Sequence, residues 1–531
     1  MKKRPLGIPF FFLSLLLIAS AARAQAQTTP TPTAPPDMDA YVGRVLKEFD
    51  VPGISVAIVK DGKVVMTKGY GVRKTGEPTP VNEHTLFGIA SNTKAFTAAA
   101  LAMLVDEGKL AWDDPVTKYL PNFQMYDAYV TRELTIRDLL THRSGLGLGA
   151  GDLMFWPNTT FTREEIMHRI RYLKPASGFR SRYAYDNVLY LVAGQIVPVV
   201  TGKSWDDFIK ERIFEPLEMT ESNVTIKALK PGMNVVSPHT EIENRVTPIP
   251  FNDLDNGAPA GAINSNAVDM AKWVVVQLDR GLVRASKDGK QRLFSERQSR
   301  AMWAVTTPLT VNDPPAELAA LKANYAGYGL GWSLGDYRGR KTVSHTGGLA
   351  GMVSRVMLIP EINAGVVVLT NQEQGGAFNS VALHVMDYYL NAPETDWTKA
   401  FRTVAERGVA QAKATEQAQR LTRNDNSKPS LPLDKYAGKY RDVWYGDVSI
   451  ALEEGKPVLR LAKTPGMVGD LEHWQYDTFI ARWRDRSLHA DAYVYFALKP
   501  DGSIDNMKML AVSPLTDFSF DFHDLYFLPV K

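Results

Sequence analysis

Residues 87–104 read FGIASNTKAFTAAALAML, and this stretch decides how the rest of the chain is read. From Asn92 to Asp106 apolar residues recur at helical spacing, and the pattern stops at Glu107-Gly108-Lys109, so a helix is expected with Ser91 at its mouth. That helix is apolar nearly all round, which marks it as buried. Lys94, one turn beyond Ser91 on the same face, is then buried with it, and a buried lysine needs a partner or a task. A serine hydroxyl is a poor nucleophile until something removes its proton and something else receives the oxyanion. The free N–H groups and dipole of a helix start favour developing negative charge. The Lys94 ammonium can lower the cost of an alkoxide, or, with its pKa depressed by burial, the amine can take the proton. The bland alternative is a helix-capping serine followed by a solvated lysine, and one S-x-x-K alone does not separate the two.

Two further phrases lie downstream. Tyr185-Asp186-Asn187 stands at the mouth of a helix expected over 188–200. A phenol acts as a general base if neighbouring positive charge lowers its pKa from about 10. Asn187 carries both a donor and an acceptor, suited to tying Lys94 in place and holding a substrate amide. His345-Thr346-Gly347-Gly348 is expected to close a strand over 341–345. A strand edge beside a nucleophile can take up a peptide-like substrate as a further strand, glycines permit close backbone approach, and the Gly348 N–H could complete an oxyanion hole with that of Ser91. Each phrase alone reads more simply as packing, capping or a turn.

Together, and in this order, S-x-x-K, Y-x-N about ninety residues on and H-T-G about 160 beyond that resemble the penicillin-binding serine hydrolases. The chain is most similar to class C β-lactamases, the D-alanyl-D-alanine carboxypeptidase with a His-Thr-Gly third motif, D-aminopeptidases and related esterases. Pro52-Gly53-Ile54-Ser55-Val56-Ala57, Leu139-Leu140-Thr141-His142-Arg143-Ser144-Gly145-Leu146 and Ala260-Gly261-Ala262-Ile263 are family-like too, and the resemblance runs over about 37–390. It implies that Ser91 is the acylated nucleophile, that Lys94 and Tyr185 share proton transfer, and that Asn187 orients substrate and lysine. It places His345 opposite Tyr185, with Thr346, Gly347 and Gly348 on the substrate, and gives the oxyanion hole to the N–H groups of Ser91 and Gly348. The reaction implied is two-step acyl transfer through an ester, with no metal and no cofactor. One departure bears on substrate. His345 stands where β-lactamases usually carry lysine, and an imidazole of pKa about 6.5 is mostly neutral at pH 7. That weakens the anchor for a β-lactam carboxylate and leaves peptidase or esterase activity open. Arg143 replaces a more usual small residue.

The expected organisation follows. A hairpin covers 53–71 around Lys60-Asp61-Gly62-Lys63. Helices are expected over 162–172, 188–200, 205–214 and 268–279, strands over 328–334, 341–345, 351–359 and 365–370, and a helix over 377–390. Strands at both ends with helices between them indicate one sheet built from distant sequence: an α+β, three-layer, β-lactamase-like domain over 37–395, its antiparallel sheet flanked by helices. A helical and linker segment (396–433) leads to short alternating strands at 438–440, 448–452, 458–461, 478–481, 493–498, 505–510 and 525–528, a small antiparallel β-barrel (lipocalin-like) domain over 434–531. Its aromatics (Trp444, Tyr445, Trp474, Trp483, Tyr493) read as core before ligand cup.

Lys2-Lys3-Arg4, an apolar run from Ile8 to Ala19 and small-residue exits at Ala22 to Ala26 read as a signal peptide over 1–26, followed by a Pro/Thr tether over 27–36 expected to be disordered. An exported, periplasmic or secreted protein is expected, touching a membrane only transiently through that peptide. Residues 1–24 hold four basic groups and no acids, so the formal charge of +3 becomes −1 without them, which leaves no footprint for nucleic acid. The partner expected is a small-molecule or short-peptide substrate. With no Cys there is neither a disulfide nor a lipid-modified cysteine. The absence of G-x-S-x-G and H-E-x-x-H disfavours an α/β-hydrolase and a zinc protease, and His142 reads as a turn residue. The rival from another class is a non-catalytic sensor that retains the pocket.

Overall fold

Valine and isoleucine dominate Gly53–Lys60 (β1), a strand buried on both faces, and the chain returns as Lys63–Gly71 (β2). Asp61 and Gly62 both have positive φ, as a two-residue hairpin turn requires. The computed structural model describes residues 32–284 and 291–530. The expected signal peptide and the first part of the tether lie outside the described residues. The end of that tether is not free: Pro35 is buried, and the Tyr389 hydroxyl donates to the Thr33 carbonyl at 2.9 Å.

The main sheet is completed by Thr307–Pro308 (β3), Ala326–Tyr328 (β4), Ser333–Tyr337 (β5), Arg340–Leu349 (β6), Met352–Ile359 (β7) and Ala364–Thr370 (β8). Its order is β2-β1-β8-β7-β6-β5-β4-β3, with every neighbour antiparallel. Met38–Glu48 (α1) and Gly375–Leu390 (α5) cover one face, where Val42, Val45, Val381 and Val385 pack on Val56, Ile58 and Val366. Thr93–Asp106 (α2), Val188–Thr201 (α3) and Ala267–Leu278 (α4) lie on the other side, with Phe96 stacked on Trp273 at 3.8 Å. Alternate residues of β1 feed the two cores, which is the three-layer α+β arrangement expected.

Three strand readings need correction. The single strand expected over 328–334 is two: Gly329 N–H bonds back to the Trp332 carbonyl, and Gly331 takes φ +76°, where a Cβ would meet the Lys94 carbonyl at 2.8 Å. The turn is pressed onto α2, a constraint from distant sequence. His345-Thr346-Gly347-Gly348 does not end its strand but lies inside β6, paired with β7 as far as Leu349. A whole strand, Val468–Gln475, was not expected, because Asp470, Glu472 and His473 make it polar and a register shift between His473 and Gln475 breaks its alternation, so that the buried residues fall at Gly469, Leu471 and Trp474.

After the 25-residue helix Trp397–Leu421 (α6), strands Gly438–Asp442, Gly446–Glu453, Lys456–Leu461, Val468–Gln475, Thr478–Trp483, Ala492–Leu498, Ile504–Ala511 and Leu528–Pro529 (β9 to β16) form a nearly closed antiparallel barrel. Met507 and Phe527 exchange two backbone hydrogen bonds of 2.9 Å across the seam. Trp444, Tyr445, Trp483 and Phe479 are buried, so side chains fill the barrel. The barrel is docked, not tethered: Thr160 N–H donates to the Lys463 carbonyl and Arg169 to the Trp444 carbonyl, each at 2.8 Å, and one apolar core runs through both parts.

Candidate active site

The chain leaves the two-residue strand Phe87–Gly88 and enters α2 through Ala90, which is buried with φ +50°. A non-glycine residue held there stores strain of order 1–3 kcal/mol, and the next residue is Ser91. Ser91 is half-buried and makes no capping hydrogen bond, so the bland capping explanation does not account for it. Lys94 is fully buried. Its Nζ lies 2.9 Å from Ser91 Oγ, 2.7 Å from Asn187 Oδ1 and 3.0 Å from the Ala260 carbonyl. Asn187 and Ala260 can only accept at those atoms. A neutral amine that donates to both has its lone pair left for the Ser91 proton. Burial drives the lysine down to about 7, against the opposing charges of Asp152 and Asp186.

Tyr185 lies over the same amine, its ring centroid 4.9 Å from Lys94 Nζ. Its phenol is pushed well above the ordinary range by burial, with the adjacent Ser91 side chain pulling the other way. The expectation that lysine charge would lower this phenol is therefore overturned: a lysine itself depressed by burial supplies little charge, and desolvation of the phenolate wins. His142 supports the ring from beneath, 4.3 Å between centroids, with φ +53° and Nδ1 accepting from Asp186 N–H. It is a turn residue, as read.

The β6 segment closes the other wall. His345 is buried, with Nε2 2.8 Å from the Tyr328 hydroxyl and its ring centroid 6.4 Å from that of Tyr185. Burial, and then the nearby Lys94, lower it to about 3, so the ring is neutral. β5 pairs β6 only as far as Ser344, which leaves the edge of 345–349 open beside Ser91. The two glycines have separate reasons. A Cβ on Gly347 would meet the Ile89 carbonyl at 2.2 Å, so Gly347 lets the strand approach the helix start, whereas Gly348 borders open space in the cleft.

A cavity of about 320 Å³ joins Ser91, Tyr185, Asn187, His345, Thr346 and Gly348. Its remaining walls were not legible as site residues in the sequence: Phe155, Trp156, Tyr183 and Leu254 from the hydrolase-like part, and Asp517, Phe518 and Ser519 from the barrel. The Phe518 ring meets Tyr185 edge-on at 5.9 Å. Asp152, fully buried, accepts from Asn187 Nδ2 at 2.8 Å and from Ser519 Oγ at 2.9 Å. No motif marks any of these positions. Among the described residues no cluster of His, Asp and Glu could hold a metal.

Arg143 acquires a role nearby. Buried Asp138 accepts from Arg143 Nε at 2.8 Å and from Arg180 at 2.5 and 3.0 Å. Burial works to raise this carboxyl, but hydrogen bonds from Arg180 and Thr135 and the Arg143 charge hold it below its ordinary value. A depressed carboxylate contributes stability above its unfolded pKa of about 3.9 and loses it as pH falls through the folded value. Asp138→Ala should therefore cost roughly 3 kcal/mol by urea unfolding at pH 7, because two arginines lose their partner. The gap from the wild type should narrow below about pH 4.

The model of the Beta-lactamase family matches residues 38–389, and that of a domain of unknown function, DUF3471, matches residues 422–529. The chain is 29% identical to the unguisins hydrolase of Aspergillus campestris over 80% of its own length and 79% of the relative's, and 28% identical to that of Aspergillus violaceofuscus over 88% and 86%. Protein flp of Staphylococcus aureus is 27% identical over 63% and 62%. Among solved structures, the octameric penicillin-binding protein homologue from Pyrococcus abyssi aligns with a TM-score of 0.58 at 23% identity, over 93% of this chain and 99% of that one.

Proposed function

The chain belongs to the beta-lactamase family of hydrolases, and from that premise we propose that it is an exported serine hydrolase acting by acyl transfer through an ester on Ser91. The observation that carries the reading is the Lys94 amine, fixed by two carbonyl oxygens with its remaining position turned to Ser91 Oγ. As Oγ attacks the substrate carbonyl carbon, its proton passes to Nζ, and the oxyanion is received by the N–H groups of Ser91 and Gly348. Collapse breaks the bond to the leaving group, which takes the proton from Lys94 directly or through the Tyr185 hydroxyl. Water then attacks the ester by the same route in reverse, releasing the acid and restoring Ser91 O–H. Tyr185 acts as a neutral phenol, a relay and not a phenolate base. The open edge of β6 receives the substrate backbone, with Thr346 and Gly348 against it and Asn187 on its amide. The basic start and apolar run at the N-terminus support export.

The walls narrow the substrate. Among the described residues lining the cavity there is no arginine or lysine, His345 is neutral, and Asp517 stands at the rim. A carboxylate beside the scissile bond finds no anchor and meets a like charge. The site favours D-amino-acid amides, peptides without a free carboxylate at the cleaved bond, and small esters, over β-lactams and free C-terminal D-Ala-D-Ala. Amidation of an acyl-D-Ala-D-Ala substrate should raise kcat/KM on the order of tenfold or more. Nitrocefin should be turned over roughly 100-fold less efficiently than a p-nitrophenyl ester. Nitrocefin as the better substrate would make the protein a β-lactamase. Absence of any Ser91 adduct with a fluorophosphonate or a fluorescent penicillin, read by intact mass, would favour the non-catalytic sensor.

A further inference from the structure

An unbroken set of hydrogen bonds leaves Ser91 and ends in the barrel. Lys94 Nζ stands 2.9 Å from Ser91 Oγ and donates to Asn187 Oδ1 at 2.7 Å. Asn187 Nδ2 donates to Asp152 Oδ2 at 2.8 Å, and Ser519 Oγ donates to the same oxygen at 2.9 Å. Oδ1 of Asp152 is buried without a partner, so both bonds that orient this carboxyl converge on one atom.

The segment that delivers Ser519 is itself held to the cleft. Asp517 Oδ1 accepts from Ser519 N–H at 2.8 Å, shaping the turn. Asp521 accepts from the backbone N–H groups of Gly151 at 2.7 Å and Leu153 at 3.3 Å, the two neighbours of Asp152. Gly149 has φ +70°, and a Cβ there would meet the Phe518 carbonyl at 2.6 Å, so the hydrolase-like part is shaped to seat this segment. Ser519 is buried at the cavity wall, where its hydroxyl is the second donor to Asp152.

We infer that Ser519 and Asp152 are positioning residues for the Lys94 amine, so that the barrel segment 517–521 is a working part of the active site. Resting on the serine-hydrolase reading, this assigns the barrel a role in catalysis. The physical reason lies in the Asn187 amide. Its oxygen serves Lys94 only while its nitrogen is engaged on the other side, and Asp152 supplies that engagement. Without the Ser519 hydroxyl, Asp152 keeps one donor in place of two and is free to turn. The amide can then present its nitrogen to Lys94, which spoils the geometry and withdraws support from the charged amine.

The test uses the full-length protein and a fluorophosphonate probe, reading the second-order rate of labelling at Ser91 from pH 5 to 10. The wild-type rate should rise with pH through about 7, where the lysine loses its proton. Ser519→Ala should label on the order of tenfold more slowly, with this limb moved to lower pH, and Ser519→Thr should restore both. Burial raises the Asp152 carboxyl while the bonds from Asn187 and Ser519 pull it down. Asp152→Asn should slow labelling as well, because a side-chain amide can turn its own nitrogen toward Asn187 Nδ2 and so fail to hold it. Tyr440→Phe breaks a hydrogen bond of 2.7 Å to the Tyr436 carbonyl among barrel residues alone, and controls for loosening of that domain. It should lower the melting temperature and leave the rate and limb unchanged. If Ser519→Ala keeps the wild-type limb, or loses rate only as Tyr440→Phe does, the positioning role is overturned. A wild-type protein that takes no label at Ser91 overturns the hydrolase reading and this inference with it.

Discussion

Ser91→Ala is expected to lower kcat on a p-nitrophenyl ester by roughly 10⁵-fold, to abolish the covalent adduct, and to leave the melting temperature within a degree or two of the wild type. The size follows from losing the nucleophile outright: what remains is orientation and the oxyanion site, worth far less than the covalent route. The small effect on stability follows from the local structure. Ser91 caps nothing, and its removal leaves Lys94 with acceptors at Asn187 and Ala260. Had the hydroxyl been the helix cap that a lone S-x-x-K also permits, its loss would cost about 1 kcal/mol of stability and little activity. The two readings therefore predict opposite pairs of results, and one variant with two measurements separates them. Activity retained in Ser91→Ala would remove the basis for acyl transfer.

The same contrast shows what a sequence carries. Ser91, Lys94, Tyr185, Asn187 and the His345–Gly348 phrase, which the fold brings to one cleft, could be singled out because each pairs a reactive group with a local signal, whether a helix mouth or a glycine run. The first hairpin was legible for a similar reason: alternation and its turn residues are neighbours in sequence. Asp152 and Ser519 carry no such signal. They are 367 residues apart, and what makes them part of the site is docking of the barrel, which no local pattern encodes. The Gly331 turn was hidden likewise, since its cause is the close approach of α2. Local chemistry shows itself in short phrases; the supporting shell is a property of packing, and packing is long-range.

On the acyl-transfer mechanism proposed above, that shell makes Lys94 the most consequential residue after Ser91. Lys94→Met should reduce kcat by roughly 10³- to 10⁴-fold, within the range for loss of a positioned base, and should flatten the rise in rate through about pH 7. The sign is set by the protonation state that works. The amine must be neutral to take the Ser91 proton, so the wild type gains activity as pH rises through the folded pKa and loses it below. Stability should move in the same direction, but over a higher pH window. The unfolded amine titrates near 10.4 and the folded one at about 7, so between these values the unfolded chain holds a proton that the folded chain lacks. Falling pH then favours unfolding across this window, by an amount on the order of a few kcal/mol when it is complete. Met carries no such penalty, although it leaves Asn187 Oδ1 and the Ala260 carbonyl without their donor, a cost of about 1–3 kcal/mol that does not vary with pH. The stability difference between Lys94→Met and the wild type should therefore shift in favour of the variant as pH drops from about 10 to about 7, and stay constant below. Chemical unfolding at four or five pH values measures that slope directly. A flat difference would mean that Lys94 keeps its proton in the folded protein, and the base would have to be sought elsewhere. A slope with this sign, alongside lost activity, would show that the fold gives up stability at this position to hold an amine ready beside Ser91.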